Sequence, residues 1–126
     1  MKILLDTHIL LWYSEDLLPK DASGYILDEA NTLYFSPASI WEVVTKYQLG
    51  RSDFQTNPAR LLKGLVENDC IELPITATHM LGVGGLPNIH KDPFDRVLLA
   101  QAIAEGCFLL TADKVLAQYP GPIILV

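Results

Sequence analysis

What this chain can fold into is limited most by a rhythm in its apolar residues. Short apolar runs recur at Ile3–Leu5, Leu33–Phe35, Cys70–Leu73, Cys107–Leu110 and Ile123–Val126, with longer helix-like segments between them. Runs this short suit strands covered on both faces, as in a parallel sheet. Strands that alternate with helices predict an α/β protein, a three-layer sandwich with helices on both faces of a central parallel sheet. The helix signals are specific. Asp6 or Thr7 can cap a short helix to Tyr13, and Pro19 opens a second that runs to about Ala30. Ser36-Pro37 is an N-cap and first-turn pair for a helix to about Leu49. Asn57-Pro58 opens another, whose Leu61, Leu62, Leu65 and Val66 fall at packing intervals. Thr76 caps a short helix to about Leu81. Asp92-Pro93 opens a long one, apolar almost all round, that Gly106 stops; Thr111 caps a last one with Asp113 in its first turn. Trp41 is expected in the core and His79 on the surface. Gly82 to Ile89, with three glycines and Pro87, is the segment freest to move.

The 126 residues suit a single domain, residues 1–126, with a substantial core, and half of them are apolar. No apolar run approaches the roughly 18–20 residues of a membrane span. Asp6 interrupts the first run too early for a signal peptide, so the expected location is the cytoplasm. Cys70 and Cys107 lie in or beside apolar runs and are expected to be buried free thiols. The net charge of −6 excludes a protein that grips nucleic acid by a broad basic surface. It does not exclude phosphate chemistry, because divalent cations in an acidic site reverse its local charge. Contacts to nucleic acid would fall to Lys46, Arg51, Lys91, Arg96 and Lys114.

The chemistry-bearing stretch is His90-Lys91-Asp92-Pro93-Phe94-Asp95-Arg96. With Asp92 as N-cap and Pro93 as the first helical residue, Asp95 falls in the first turn, where the helix dipole favours negative charge. Taken alone this is a capping arrangement. Asp6 and Asp113 each follow a strand directly, so a parallel sheet brings both to its carboxyl-terminal edge, where ligands bind. The helix begun at Asp92 runs back antiparallel to the strand it feeds, and its start points toward the same edge. Glu42 reaches that edge if Ser36 caps its helix; if Ser39 caps it, Ser39-x-x-Glu42 is a capping box and Glu42 is structural. Lys46 stands four residues after Glu42, in the favourable order for an ion pair. Four carboxylates on one rim would call for hard divalent cations and suit metal-assisted phosphodiester hydrolysis. Four unrelated caps is the competing account. The sequence pattern leaves both open.

Four blocks in order weigh on that choice: Leu4-Leu5-Asp6-Thr7-His8, Ser39-Ile40-Trp41-Glu42-Val43 with Lys46 and Gly50-Arg51, His90 through Arg96, and Leu110-Thr111-Ala112-Asp113. Together they resemble the PIN-domain ribonucleases, and within them the VapC-type toxins of bacterial toxin–antitoxin pairs. The resemblance implies a sheet of about five strands. It also implies an acidic set of Asp6, Glu42, Asp95 and Asp113 that holds Mg2+ or Mn2+ and cleaves RNA endonucleolytically. Asp6 and Asp95 would be the principal ligands, with Glu42 and Asp113 acting partly through water. Thr7 and Thr111 would orient ligands or water, and Asp92 would cap its helix outside the core set. Lys46, Arg96 and His90 would steer substrate phosphate, with a structural role for His90 equally open. A homodimer and a small antitoxin partner are implied as well. Two other classes remain on the sequence: a non-catalytic module of the same fold that binds RNA or protein, and a phosphatase of the haloacid dehalogenase-like type. The second wants an acid two residues after Asp6, where this chain has His8.

Overall fold

Strand β1 (Lys2–Leu5) is the centre about which the other elements are arranged in the computed structural model, which describes residues 1–126. Its neighbours are β2 (Thr32–Phe35) and β4 (Phe108–Thr111); β3 (Ile71–Glu72) lies beyond β2 and β5 (Ile123–Leu125) beyond β4. All four pairings are parallel, in the order β3-β2-β1-β4-β5. Leu4 pairs with both Tyr34 and Leu109, so the central strands are in close step. This is the α/β sandwich with a five-stranded parallel sheet that the apolar rhythm and the resemblance pointed to.

Alternation along β1 divides the core. Ile3 and Leu5 point to one face, with Ile9 and Leu10 of α1 (Thr7–Ser14), Ile26 of α2 (Lys20–Leu27), Val43 of α3 (Pro37–Gln48), and Leu61 and Leu65 of α4 (Pro58–Glu67). Leu4 points to the other, with Leu109, Ala38 of α3, and Leu98, Leu99 and Ala102 of α6 (Pro93–Glu105). The two-residue period of a strand produces this split. Short α5 (Ala77–Gly84) packs on α6. No helix is long and apolar enough to cross a membrane. Cys70 and Cys107 are buried free thiols, as expected, and burial pushes the Cys70 thiol up to about 11.

Several expectations need correction. No α-helix follows β4: Thr111 is the last residue of that strand, and a single 3-10 turn (Leu116–Gln118) leads into Tyr119-Pro120. With prolines at 120 and 122 a helix has no room to propagate. Helix α2 stops at Leu27, short of Ala30, but Asn31 still serves it by donating to Tyr25 O at 2.9 Å. Trp41 is not a core residue; it is 66% exposed. His79 is not on the surface; it is 1% exposed, accepts the Thr76 amide at Nδ1 (3.0 Å) and meets Glu105 at Nε2 (2.7 Å). Helix α6 is less uniformly buried than its composition suggests, because Ile103 and Ala104 face solvent.

Candidate metal centre

Asp6 begins where β1 ends. Its amide donates to Leu110 O at 3.1 Å, which closes the β1–β4 ladder and fixes the carboxylate at the rim. One oxygen caps α1 by accepting the His8 amide at 2.7 Å, and the other accepts the Thr111 hydroxyl. Burial raises the Asp6 carboxyl above its ordinary range, against the opposing pull of those two bonds. Asp6 is therefore a cap and a rim acid at once. The two accounts left open by the sequence are not exclusive here. His8 itself is exposed, its ring 6.3 Å from that of Trp12.

Asp113 follows β4 in the same way. Its amide donates to Thr111 Oγ1 at 3.0 Å, so the Thr111 hydroxyl couples the two rim acids across the sheet. One Asp113 oxygen accepts the amides of Val115 (2.8 Å) and Leu116 (3.2 Å); the other meets His90 Nε2 at 2.8 Å. Burial pushes its carboxyl up, but these bonds win and hold it below the usual range.

Ser36 caps α3, accepting the Ala38 amide at 3.1 Å, which excludes the Ser39 capping box and leaves Glu42 one and a half turns into the helix. Ser39 instead accepts the Thr7 hydroxyl at 3.0 Å. Positions 39, 42 and 43 share a helix face, so this bond also sets where Glu42 points. Glu42 is 4% exposed, and Lys46 donates to its Oε2 at 2.8 Å. Its Oε1 has no hydrogen-bond partner at all. Lys46 is part-exposed above this pair, 6.0 Å from the Phe54 ring.

Asp92 caps α6 through the Phe94 amide (2.9 Å), as expected, and Asp95 follows in the first turn. Asp95 is pushed up to about 7, first by burial and then by the charges of Asp92, Asp6 and Glu42. That is the electrostatic signature of carboxylates gathered around one point. His90 sits inside this group. Its Nε2 is 2.8 Å from Asp113 and 3.2 Å from Asp95, and the ligand atoms of the three residues lie within 4.8 Å of one another. Because Nδ1 accepts the Asp92 amide at 3.0 Å, the ring presents its Nε2 proton to the two acids. Burial lowers the His90 pKa, but the Asp113 hydrogen bond and the surrounding carboxylates outweigh it and leave it raised.

Arg96 has a different employment from the phosphate steering expected of it. It donates to Pro87 O (2.9 Å), Val83 O (3.1 Å) and the Tyr119 hydroxyl (2.9 Å). Arg51 is tied to Asp53 at 2.6 Å. A surface depression of about 490 Å³ between the end of α1 and the α3–α4 connection is lined by none of the four acids. Sequence reasoning missed Tyr119 and the bond of Ser39 to Thr7, because the partners lie 29 and 32 residues away and leave no local signal.

The donor set fits a hard divalent cation. It consists of carboxylate oxygens, one buried oxygen lacks any partner, and one carboxyl is destabilised as an anion by burial and by its neighbours, with the His90 ring bridging two of the acids through its Nε2 proton. The family model for the PIN domain matches residues 3–122. The chain belongs to the PIN domain family. This PIN domain is similar in fold to a chain of the crystal structure of VapBC2 from Rickettsia felis bound to a DNA fragment from its promoter. The two are 19% identical, with a TM-score of 0.75 over 100% of this chain and 98% of that one. It is also similar to DNA-bound VapBC from Salmonella typhimurium, at 16% identity and a TM-score of 0.72 over 98% and 97% of the two chains. A domain of a functionally unknown protein from Methanocaldococcus jannaschii is 16% identical, with a TM-score of 0.63 over 99% and 90%. No curated protein matches the chain by sequence.

Proposed function

We propose that this PIN domain is a Mg2+- or Mn2+-dependent endoribonuclease that acts in the cytoplasm as the toxin of a type II toxin–antitoxin pair. The observation that carries the reading is the gathering of Asp95 and Asp113 about His90, with ligand atoms within 4.8 Å, while the charges of Asp6 and Glu42 bear on Asp95 and Glu42 Oε1 is buried and unpaired. In this reading Asp6 and Asp95 are the principal metal ligands, and Glu42 and Asp113 complete the set partly through water. These residues would hold a divalent cation, which would supply activation of water and charge stabilisation at the leaving oxygen. Thr111 keeps Asp6 and Asp113 in mutual register, and Thr7 holds the Glu42 face through Ser39. In this reading Lys46, part-exposed and paired with Glu42, also meets substrate phosphate.

The antitoxin partner is supported by the fold shared with VapBC structures. The homodimer is supported by an apolar depression beside the centre, lined by Trp41, Ile75, Met80, Pro93, Phe94 and Val97 with Ala38. Trp41 and Phe94 meet edge to face there, at 5.2 Å. Nothing polar lines it, so it suits a second copy of the chain rather than a phosphate backbone.

The test is cleavage of total RNA by purified protein with Mg2+ or Mn2+, with EDTA, and by an Asp6→Asn variant. Defined cuts that disappear with EDTA and fall at least about 100-fold in the variant are expected. Equal behaviour of wild type and variant would overturn the nuclease reading and favour the non-catalytic binding module.

A further inference from the structure

The loop that carries His90 has little to order it from within. It leaves α5 at Gly84 and reaches α6 at Asp92. Its own hydrogen bonds are of turn type, such as Leu86 N–H to Val83 O (3.2 Å) and Ile89 N–H to Pro87 O (3.0 Å). Two side chains from outside hold it. The Arg96 guanidinium donates to carbonyls at both Val83 and Pro87, and its Nη1 also donates to the Tyr119 phenol oxygen. That phenol accepts the His90 amide at 2.8 Å and faces the His90 carbonyl at 3.4 Å. Tyr119 is buried among Leu4, Leu98, Leu99 and Leu116, so its hydroxyl is anchored by the core of the protein. The rigid planar fork of arginine suits this bridging of separate acceptors.

The structure assigns Tyr119 and Arg96 a positioning role: they fix the backbone of residues 83–90 so that the His90 ring holds Asp95 and Asp113 at a spacing fit for a divalent cation. This rests on the metal-nuclease reading and adds to it. It also replaces the expected phosphate contact of Arg96 with a task inside the protein, and the two differ in sign. In the absence of RNA, loss of a cation near an acidic centre strengthens divalent binding by Coulomb's law. Loss of a clasp that positions the ligands weakens it, typically by about 10–100-fold for such supporting residues.

The experiment uses the purified full chain without RNA and measures Mn2+ affinity together with hydrogen exchange of residues 83–90. Tyr119→Phe keeps the ring in the core and removes only the hydroxyl; Arg96→Gln removes the fork. Both variants are expected to bind Mn2+ at least about tenfold more weakly and to exchange faster across 83–90. In a His90→Ala background Tyr119→Phe should still speed exchange but cost no further Mn2+ affinity, because the ring it positions is gone. A merely destabilising substitution would not show that dependence. Unchanged or tighter Mn2+ binding in either variant, or an equal loss in the His90→Ala background, would overturn the role. If the wild-type chain binds no Mn2+, the nuclease reading fails, and the clasp is decided by exchange alone: faster exchange upholds it, unchanged exchange refutes it.

Discussion

Asp95 is where the cost of gathering carboxylates collects. Its folded-state pKa of about 7 means that the folded chain holds a proton there over a range in which the unfolded chain has released it. Stability from this group is therefore full below about pH 4, declines as pH rises toward about 7, and then levels off. Asp95→Asn, measured in EDTA by thermal or urea unfolding, should be more stable than wild type by about 1–3 kcal/mol at pH 8. The gain should shrink toward zero near pH 4. If the centre holds a cation as proposed, added Mn2+ should reverse the order, because binding to the folded wild type would exceed binding to the variant. Thr111→Val tests the neighbouring link. Removing the hydroxyl that joins Asp6 to Asp113 should lower RNA cleavage by about 10–100-fold while leaving the β4 core face packed. Asp6, Asp95 and Asp113 were legible because each sits at a strand end or helix start, where local sequence fixes position; Glu42, one and a half turns into α3, was left open between two registers. The centrality of His90 and the inward turn of Arg96 were not, because both depend on partners more than twenty residues away.

At the scale of elements, the register of α3 decides whether Glu42 is a helix cap or is free to serve the candidate metal centre. Two serines three residues apart offered two registers, and the Ser36 bond to Ala38 selects one. Ser36→Ala should cost about 1 kcal/mol in urea unfolding, the usual worth of an N-cap. It should also reduce cleavage, since the helix start is what aims Glu42. The same helix accounts for Trp41. Ala38, Ser39, Glu42 and Val43 are its buried residues, and Trp41 falls off that face. Size and aromaticity suggested core packing; periodicity, weighed residue by residue, would have placed it outside. His79 went the other way, because a capping box with Thr76 and a partner on α6 satisfy a buried imidazole. The element expected but not formed is the helix after β4. Thr111 and Asp113 have the residue types of a cap, but their side chains serve the rim and a tight turn instead.

For the whole molecule, the apolar face on α3, α5 and α6 predicts a dimer. Light scattering of the purified protein should give twice the mass of the chain, and Trp41→Glu should give the monomer. Trp41 is largely exposed in the single chain, so the variant's unfolding free energy at low protein concentration should stay within about 0.5 kcal/mol of wild type. A dimeric variant would mean that another surface joins the copies.

The strand order has one more consequence, and it concerns time. The Thr111–Asp6 bond spans 105 residues, joining the first strand of the chain to the fourth. While β4 is still being synthesised, Asp6 has neither its ladder partner nor its hydroxyl, and Asp113 does not yet exist. Under the proposed nuclease function, a nascent chain thus stays inactive until β4 and Asp113 have been made, and the centre assembles only as the sheet closes.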